Sequence, residues 1–253
     1  MTKAKSILIT GASSGIGYAT AILASAQYQK VIISARRKDK LEKLKAEILH
    51  SNPNCEVQIL VFDVRNNDEC LQAIRQISTL DALINNAGLA LGKVPFQEAK
   101  LDHWETMIDT NIKGLLYMTK ACHTLLKKSG QGHIINICSI AGKETYTNGN
   151  VYCATKHAVD SLSKAMRLDF LNDKIRVSNV CPGAVETEFS IVRHEGNVNL
   201  ADATYKGFIP LKAKDIADAI MYCLGTPLNV NINDIVIMPT AQANATQILR
   251  DEI

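Results

Sequence analysis

SILITGASSGIGYATAILASAQ, residues 6–27, decides the fold. Its first five residues read as a short apolar strand, and a helical pattern begins near residue 15. Between them, Gly11, Gly15 and Gly17 permit a tight turn and let backbone N–H groups approach a ligand. Ser13, Ser14 and Ile16 complete that turn. A strand, a glycine-rich turn and a helix with its positive N-terminus at the turn form a cradle for a pyrophosphate. The spacing G-x-x-x-G-x-G departs from the commoner dinucleotide fingerprint. Glycines also punctuate ordinary loops, so the position on the first βα turn carries the reading.

The same rhythm continues outward. Strands are predicted at 6–10, 30–35, 57–64, 82–88, 132–139, 175–183 and 234–240. Helices are predicted near 15–28, 38–50, 67–78, 101–128, 151–171 and 214–224, with Asp102 and Asp215 where acids favour helix starts. Most strands are apolar on both faces, as parallel strands covered by helices on either side must be. The pattern predicts an α/β fold, a doubly wound seven-stranded parallel sheet, in one domain spanning residues 1–253. Residues 184–213 break the rhythm without a long clean period, and a connection of that length predicts a substrate lid.

Composition narrows the function classes. The chain has 253 residues, 47% hydrophobic and 21% charged, with a net charge of +3 and no block of like charges, so neither nucleic acid nor an anionic membrane is implied. MTKAKSILITG holds too short an apolar run for a signal peptide, and no run approaches a membrane span. Seven cysteines lie mostly inside apolar runs without metal spacing, which suits a reducing, cytoplasmic setting.

The end of the second strand bears on the choice of nucleotide. A dinucleotide fold reading NAD places an acid about 20 residues beyond the glycines, to bond the ribose 2′-hydroxyl. Here the zone reads ISARRKDK (33–40), with Arg36 and Arg37 and no acid before Asp39. Two cations at a helix start oppose the helix dipole, and a 2′-phosphate would offset that cost; NADP is therefore expected. Asp63 and Val64 close the third strand, where they would meet the adenine. Asn85, Ala87 and Gly88 belong to NNAG (85–88), whose small residues let a ring and ribose approach the main chain.

Tyr152 and Lys156 stand four residues apart on a predicted helix, one above the other. Alone, such a pair reads first as an amphipathic pair at a surface. In order along the chain, however, TGASSGIG (10–17), NNAG, Asn111, Ser139, Y-x-x-x-K at 152–156 and Pro182-Gly183 with Thr187 resemble the short-chain dehydrogenase/reductase family. The resemblance spans roughly residues 5–240. It is strongest to a branch of NADP-dependent 3-hydroxy acid (L-allo-threonine/serine) dehydrogenases, through NNAGLALG (85–92), WETMIDTN (104–111), KGLLYMT (113–119), GNVY (149–152), TEFSIVR (187–193) and VNIN (230–233). Cys138, Cys153 and His157 are mild departures.

The resemblance implies a Rossmann fold, a small-molecule substrate, a homotetramer, and roles for the residues named. Tyr152 would exchange a proton with the substrate oxygen, and Lys156 would favour the phenolate and hold the nicotinamide ribose. Ser139 would polarise the substrate oxygen, and Asn111 would bend its helix so that a carbonyl fixes a water to Lys156. Pro182, Gly183, Val185 and Thr187 would line the nicotinamide. For a hydroxy acid, Arg193 is the candidate carboxylate anchor; a solvated or subunit-bridging arginine is the other reading. A carbonyl or 3-oxoacyl thioester reductase would not depend on Arg193. A non-catalytic NADP(H) sensor should have lost Ser139, Tyr152 or Lys156, and the chain keeps all of them.

Overall fold

Along the first strand, Ile7 and Ile9 pack into one apolar layer and Leu8 into the other, the period of two expected of a strand buried on both faces. The structure is a computed structural model and describes residues 5–251. Residues 1–4 of the MTKAK segment and residues 252–253 lie outside the described residues.

Strands β1 (Ser6–Thr10), β2 (Lys30–Ala35), β3 (Glu56–Val61), β4 (Ala82–Asn85), β5 (His133–Ile137), β6 (Arg176–Pro182) and, after a small separate ladder, β9 (Asp234–Ile237) form one sheet. Its order is β3-β2-β1-β4-β5-β6-β9, and every pairing is parallel. The chain reverses its direction of travel between β1 and β4, so a crevice opens there at the carboxyl ends of the strands. Helices α1 (Gly15–Ala24), α2 (Lys38–Ser51) and α9 (Ala213–Leu224) supply buried side chains to the layer of Ile7 and Ile9. Helices α3 (Asn67–Ile74), α5 (Leu115–Ser129) and α6 (Asn150–Asp169) cover Leu8 and the other face.

Two segments differ from the sequence expectation. The predicted helix at 101–128 is helical throughout but not uniform: α4 (Leu101–Ile108) passes through a π-helical turn, Asp109–Gly114, into α5. Such a turn inserts a wider hydrogen-bonded ring into the helix, and here it contains Asn111. Residues 184–213 are not one irregular loop. Val185–Glu186 (β7) pairs in parallel with Leu211–Lys212 (β8), and α7 (Glu188–Arg193) and α8 (Val198–Ala203) lie between them. Those helices are too short to show a period in sequence. Helix α9 carries Asp215 in its first turn, as expected of an acid near a helix start, and the Asp215 carboxylate accepts the Lys212 backbone N–H at 2.7 Å.

Candidate active site

A cavity of about 500 Å³ occupies the crevice above β1 and β4. On one side lies the glycine turn. Gly11 and Gly15 hold φ of +65° and +59°, and a Cβ at Gly11 would stand 2.9 Å from the Ala87 Cα, so only glycine fits there. Ser14 is the N-cap of α1, yet its side chain does not cap it, and the first turn holds no acid. The free N–H groups of that turn and the helix dipole therefore remain available to an anion.

Beside the turn, Arg37 donates to the Ser13 hydroxyl from Nε at 3.2 Å and Nη2 at 2.9 Å, and to Ser14 Oγ at 3.0 Å. Arg36 reaches the Asp63 carboxylate at 3.8 Å. Burial would raise the Asp63 pKa, but hydrogen bonds from the Arg65 side chain and backbone hold it below the usual carboxylate value. Ile16, Val64, Ala87 and Gly88 line the same cavity, as do Pro182, Gly183, Val185 and Thr187 on its far wall.

At the cavity floor, Tyr152 and Lys156 rise from α6, both buried. Lys156 Nζ donates to the Ile137 carbonyl at 2.9 Å and lies 5.9 Å from the Tyr152 ring centroid. Burial, abetted by Tyr146, lifts the Tyr152 phenol above its ordinary value, against the opposing influence of Ser139 and the charge of Arg193. Burial lowers the Lys156 ammonium. Desolvation thus outweighs the expected pull of Lys156 towards phenolate in the protein alone. Ser139 sits at the end of β5, where its Oγ accepts the Ala141 N–H at 3.0 Å and faces the Pro182 carbonyl at 3.4 Å.

Helix α7 roofs this floor. Thr187 caps it through Phe189 N–H at 3.3 Å, and the Phe189 ring lies 5.6 Å from that of Tyr152. Arg193 donates from Nη1 to Tyr146 Oη at 2.9 Å, and its guanidinium carbon stands 5.5 Å from the Tyr152 ring centroid. Its Nε and Nη2 are buried with no hydrogen-bond partner. An unpaired buried guanidinium edge is costly and calls for an anion.

Three residues named from sequence stand back from the cavity. Gly17 lies inside α1, where a Cβ would meet Asn86 Nδ2 at 2.4 Å. Asn85 is buried in the sheet and donates to Thr119 Oγ1 and Asn136 Oδ1, both at 2.9 Å. Asn111 uses its side chain to bracket Leu89, accepting its N–H at 2.9 Å and donating to its carbonyl at 2.8 Å, and reaches Thr155 Oγ1 at 3.0 Å. Sequence reasoning did not find Tyr146, which precedes α6 in an irregular stretch with no periodic signal, nor Asn86, which donates to the Thr10 carbonyl at 2.8 Å from within the quoted NNAG. No cluster able to hold a metal occurs among the described residues.

The chain is similar to known proteins along nearly its whole length. Residues 5–197 match the family model for short chain dehydrogenase. A protein of Schizosaccharomyces pombe named NADP-dependent 3-hydroxy acid dehydrogenase is 39% identical over 255 residues, covering 98% of this chain and 97% of the relative. Sulfoacetaldehyde reductase 2 of Chromohalobacter salexigens is 40% identical over 245 residues, covering 94% and 95%. A solved closed form of serine dehydrogenase complexed with NADP+ superposes with a TM-score of 0.90 at 38% identity, covering 98% of this chain and all of that one. By its sequence, its sheet order and the side chains that meet in its crevice, the chain belongs to the short chain dehydrogenase family.

Proposed function

We propose that the protein is an NADP-dependent oxidoreductase that moves a hydride between the nicotinamide and a 3-hydroxy acid of the L-allo-threonine, serine or 3-hydroxyisobutyrate class, or the matching 3-oxo acid. Arg193 carries the substrate class. Its two free buried donors beside Tyr152 suit a carboxylate taken in two-point fashion. The relatives agree, since a 3-hydroxy acid and sulfoacetaldehyde are both small molecules with an anionic group near the reacting carbon.

The cofactor fits the residues present. The uncapped first turn of α1 with Gly11, Gly15 and Ile16 would hold the pyrophosphate, and Arg36 and Arg37 with Ser13 and Ser14 the 2′-phosphate. Asp63 and Val64 would flank the adenine, Ala87 and Gly88 the ribose side, and Pro182, Gly183, Val185 and Thr187 the nicotinamide. Asn85 and Gly17 would serve from behind, by fixing the strand end and the turn. When bound, NADP supplies the acceptor or donor of the hydride.

The chain's own residues do the rest. Tyr152 Oη takes the alcohol proton during oxidation and returns it to the carbonyl oxygen during reduction. Ser139 Oγ hydrogen-bonds the same oxygen. Lys156 contributes positive charge one helical turn from the phenol and would hold the nicotinamide ribose. Asn111 positions the strand end through Leu89. The segment 184–213 closes over the substrate and excludes water. Family habit and apolar side chains left exposed on α5 and α6, Leu116 at 38% and Leu168 at 77%, support a homotetramer. Buried free thiols support a cytoplasmic setting.

The test follows absorbance at the reduced-nicotinamide band with NADP or NAD and each hydroxy acid. NADP-specific reduction is expected, and Arg193→Ala should raise KM for the acid by about 10- to 100-fold, the worth of a charge-assisted hydrogen bond. Consumption of NADPH with neutral ketones or oxoacyl thioesters, and no turnover of any acid, would discard the substrate class.

A further inference from the structure

Helix α7 starts against the glycine turn: a Cβ at Gly15 would lie 3.3 Å from Thr187 Cβ. Its first residue, Glu188, is therefore set beside the cations of α2. The Glu188 carboxylate accepts Nη1 of Arg37 at 2.9 Å and lies 3.7 Å from Lys40 Nζ. The remaining nitrogens of Arg37 are spent on the Ser13 and Ser14 hydroxyls. Every nitrogen of that guanidinium is thus engaged, and its only anionic partner among the described residues is Glu188. The two side chains are 45% and 41% exposed, so the pair is open to exchange with an arriving ion.

We propose that Glu188 is a specificity-determining residue for the cofactor: it occupies Arg37 in place of the 2′-phosphate and must give up the Nη1 donor when the phosphate binds. The inference rests on the NADP reading above, in which Arg37 receives that phosphate. Two anions on one guanidinium repel each other, so the phosphate engages Arg37 fully only when the carboxylate leaves. A cofactor with a 2′-hydroxyl brings no charge and leaves the Arg37–Glu188 pair intact. Glu188 therefore weakens NADP binding and leaves NAD binding alone, which narrows the preference that the arginines create.

The measurement is calorimetric titration of NADP and NAD into the full chain and into Glu188→Gln, Arg37→Ala and the double variant. Glu188→Gln should tighten NADP about two- to fivefold at low ionic strength, the range of an exposed ion pair, with NAD unchanged. The gain should vanish in the Arg37→Ala background and in about 1 M salt. If Arg37→Ala weakens NADP selectively but Glu188→Gln leaves it unchanged or weaker, the competition is overturned and the phosphate site stands. If Arg37→Ala weakens both cofactors alike, the phosphate reading falls and this inference falls with it.

Discussion

At Tyr152 two demands conflict. Burial keeps the phenol protonated, which suits a proton donor, whereas oxidation of an alcohol needs the phenolate. The resolution lies in the neighbours: Lys156 stands one turn on, Arg193 faces the ring from the roof, and Ser139 acts to lower the phenol's pKa. All of these act on one hydroxyl, so deleting it should be severe and local. Tyr152→Phe should lower turnover by about 10²- to 10⁴-fold while NADP affinity stays unchanged in calorimetry. Retained turnover would mean that another group carries the proton.

Among the elements, the interrupted helix α4–α5 sets the geometry most directly. Its π-helical turn turns Asn111 towards Leu89, just beyond NNAG, so one side chain fixes both polar backbone groups of the residue after Gly88. The same turn brings Gly114 against Val64, where a Cβ would stand 2.8 Å from Cγ2. One defect in one helix thus pins the ends of β3 and β4, which together border the cofactor side of the cavity. Asn111→Ala leaves the Leu89 N–H and carbonyl without that partner and should cost about 1–3 kcal/mol in urea denaturation. An unchanged denaturation midpoint would show that Leu89 is held by other means. A sequence reader sees that Asn111 is a poor helix former; that its amide brackets Leu89 depends on a contact 22 residues away.

Over the whole molecule, chemistry and stability occupy opposite ends of the sheet. The cavity lies at the carboxyl ends of the strands. At the amino ends, Asp81 accepts from Ser6 N–H at 2.8 Å, Ser129 Oγ at 2.6 Å and Gln131 Nε2 at 3.0 Å, and these bonds hold its pKa down against burial. Nearby, His133 is buried in β5, meets Ser178 Oγ at 2.8 Å and has its pKa lowered by burial from 6.5 to about 3. As pH falls through 6.5 the unfolded chain gains a proton that folded His133 refuses, so stability declines from pH 6.5 down to about 3. Asp81 adds its loss only below the ordinary carboxylate value of 3.8. Between about pH 7.5 and 5, His133 alone of these two should cost about 2 kcal/mol. Urea titrations at both pH values check this: His133→Asn should shrink the difference, whatever it does to the absolute stability, and an unaltered difference would absolve His133.

Near neighbours in sequence determined much of this protein. The alternation of strands and helices, the parallel sheet, the glycine turn and the stacking of Tyr152 over Lys156 are set by periods of two and 3.6 residues and by the conformational freedom of glycine at positive φ. These are local properties, and they are legible wherever an element is long enough to show its period. The tertiary structure alone decided what those elements enclose. It set Gly17 and Asn85 behind the cavity wall, although they belong to motifs whose other members line it. It built α7 and α8 from a stretch too short and mixed to show a period, and aimed Glu188 and Arg193 from one helix at opposite ends of the site. It brought Tyr146 onto Arg193 from 47 residues away. Such meetings depend on how whole layers pack, and on which polar edges that packing leaves buried without a partner.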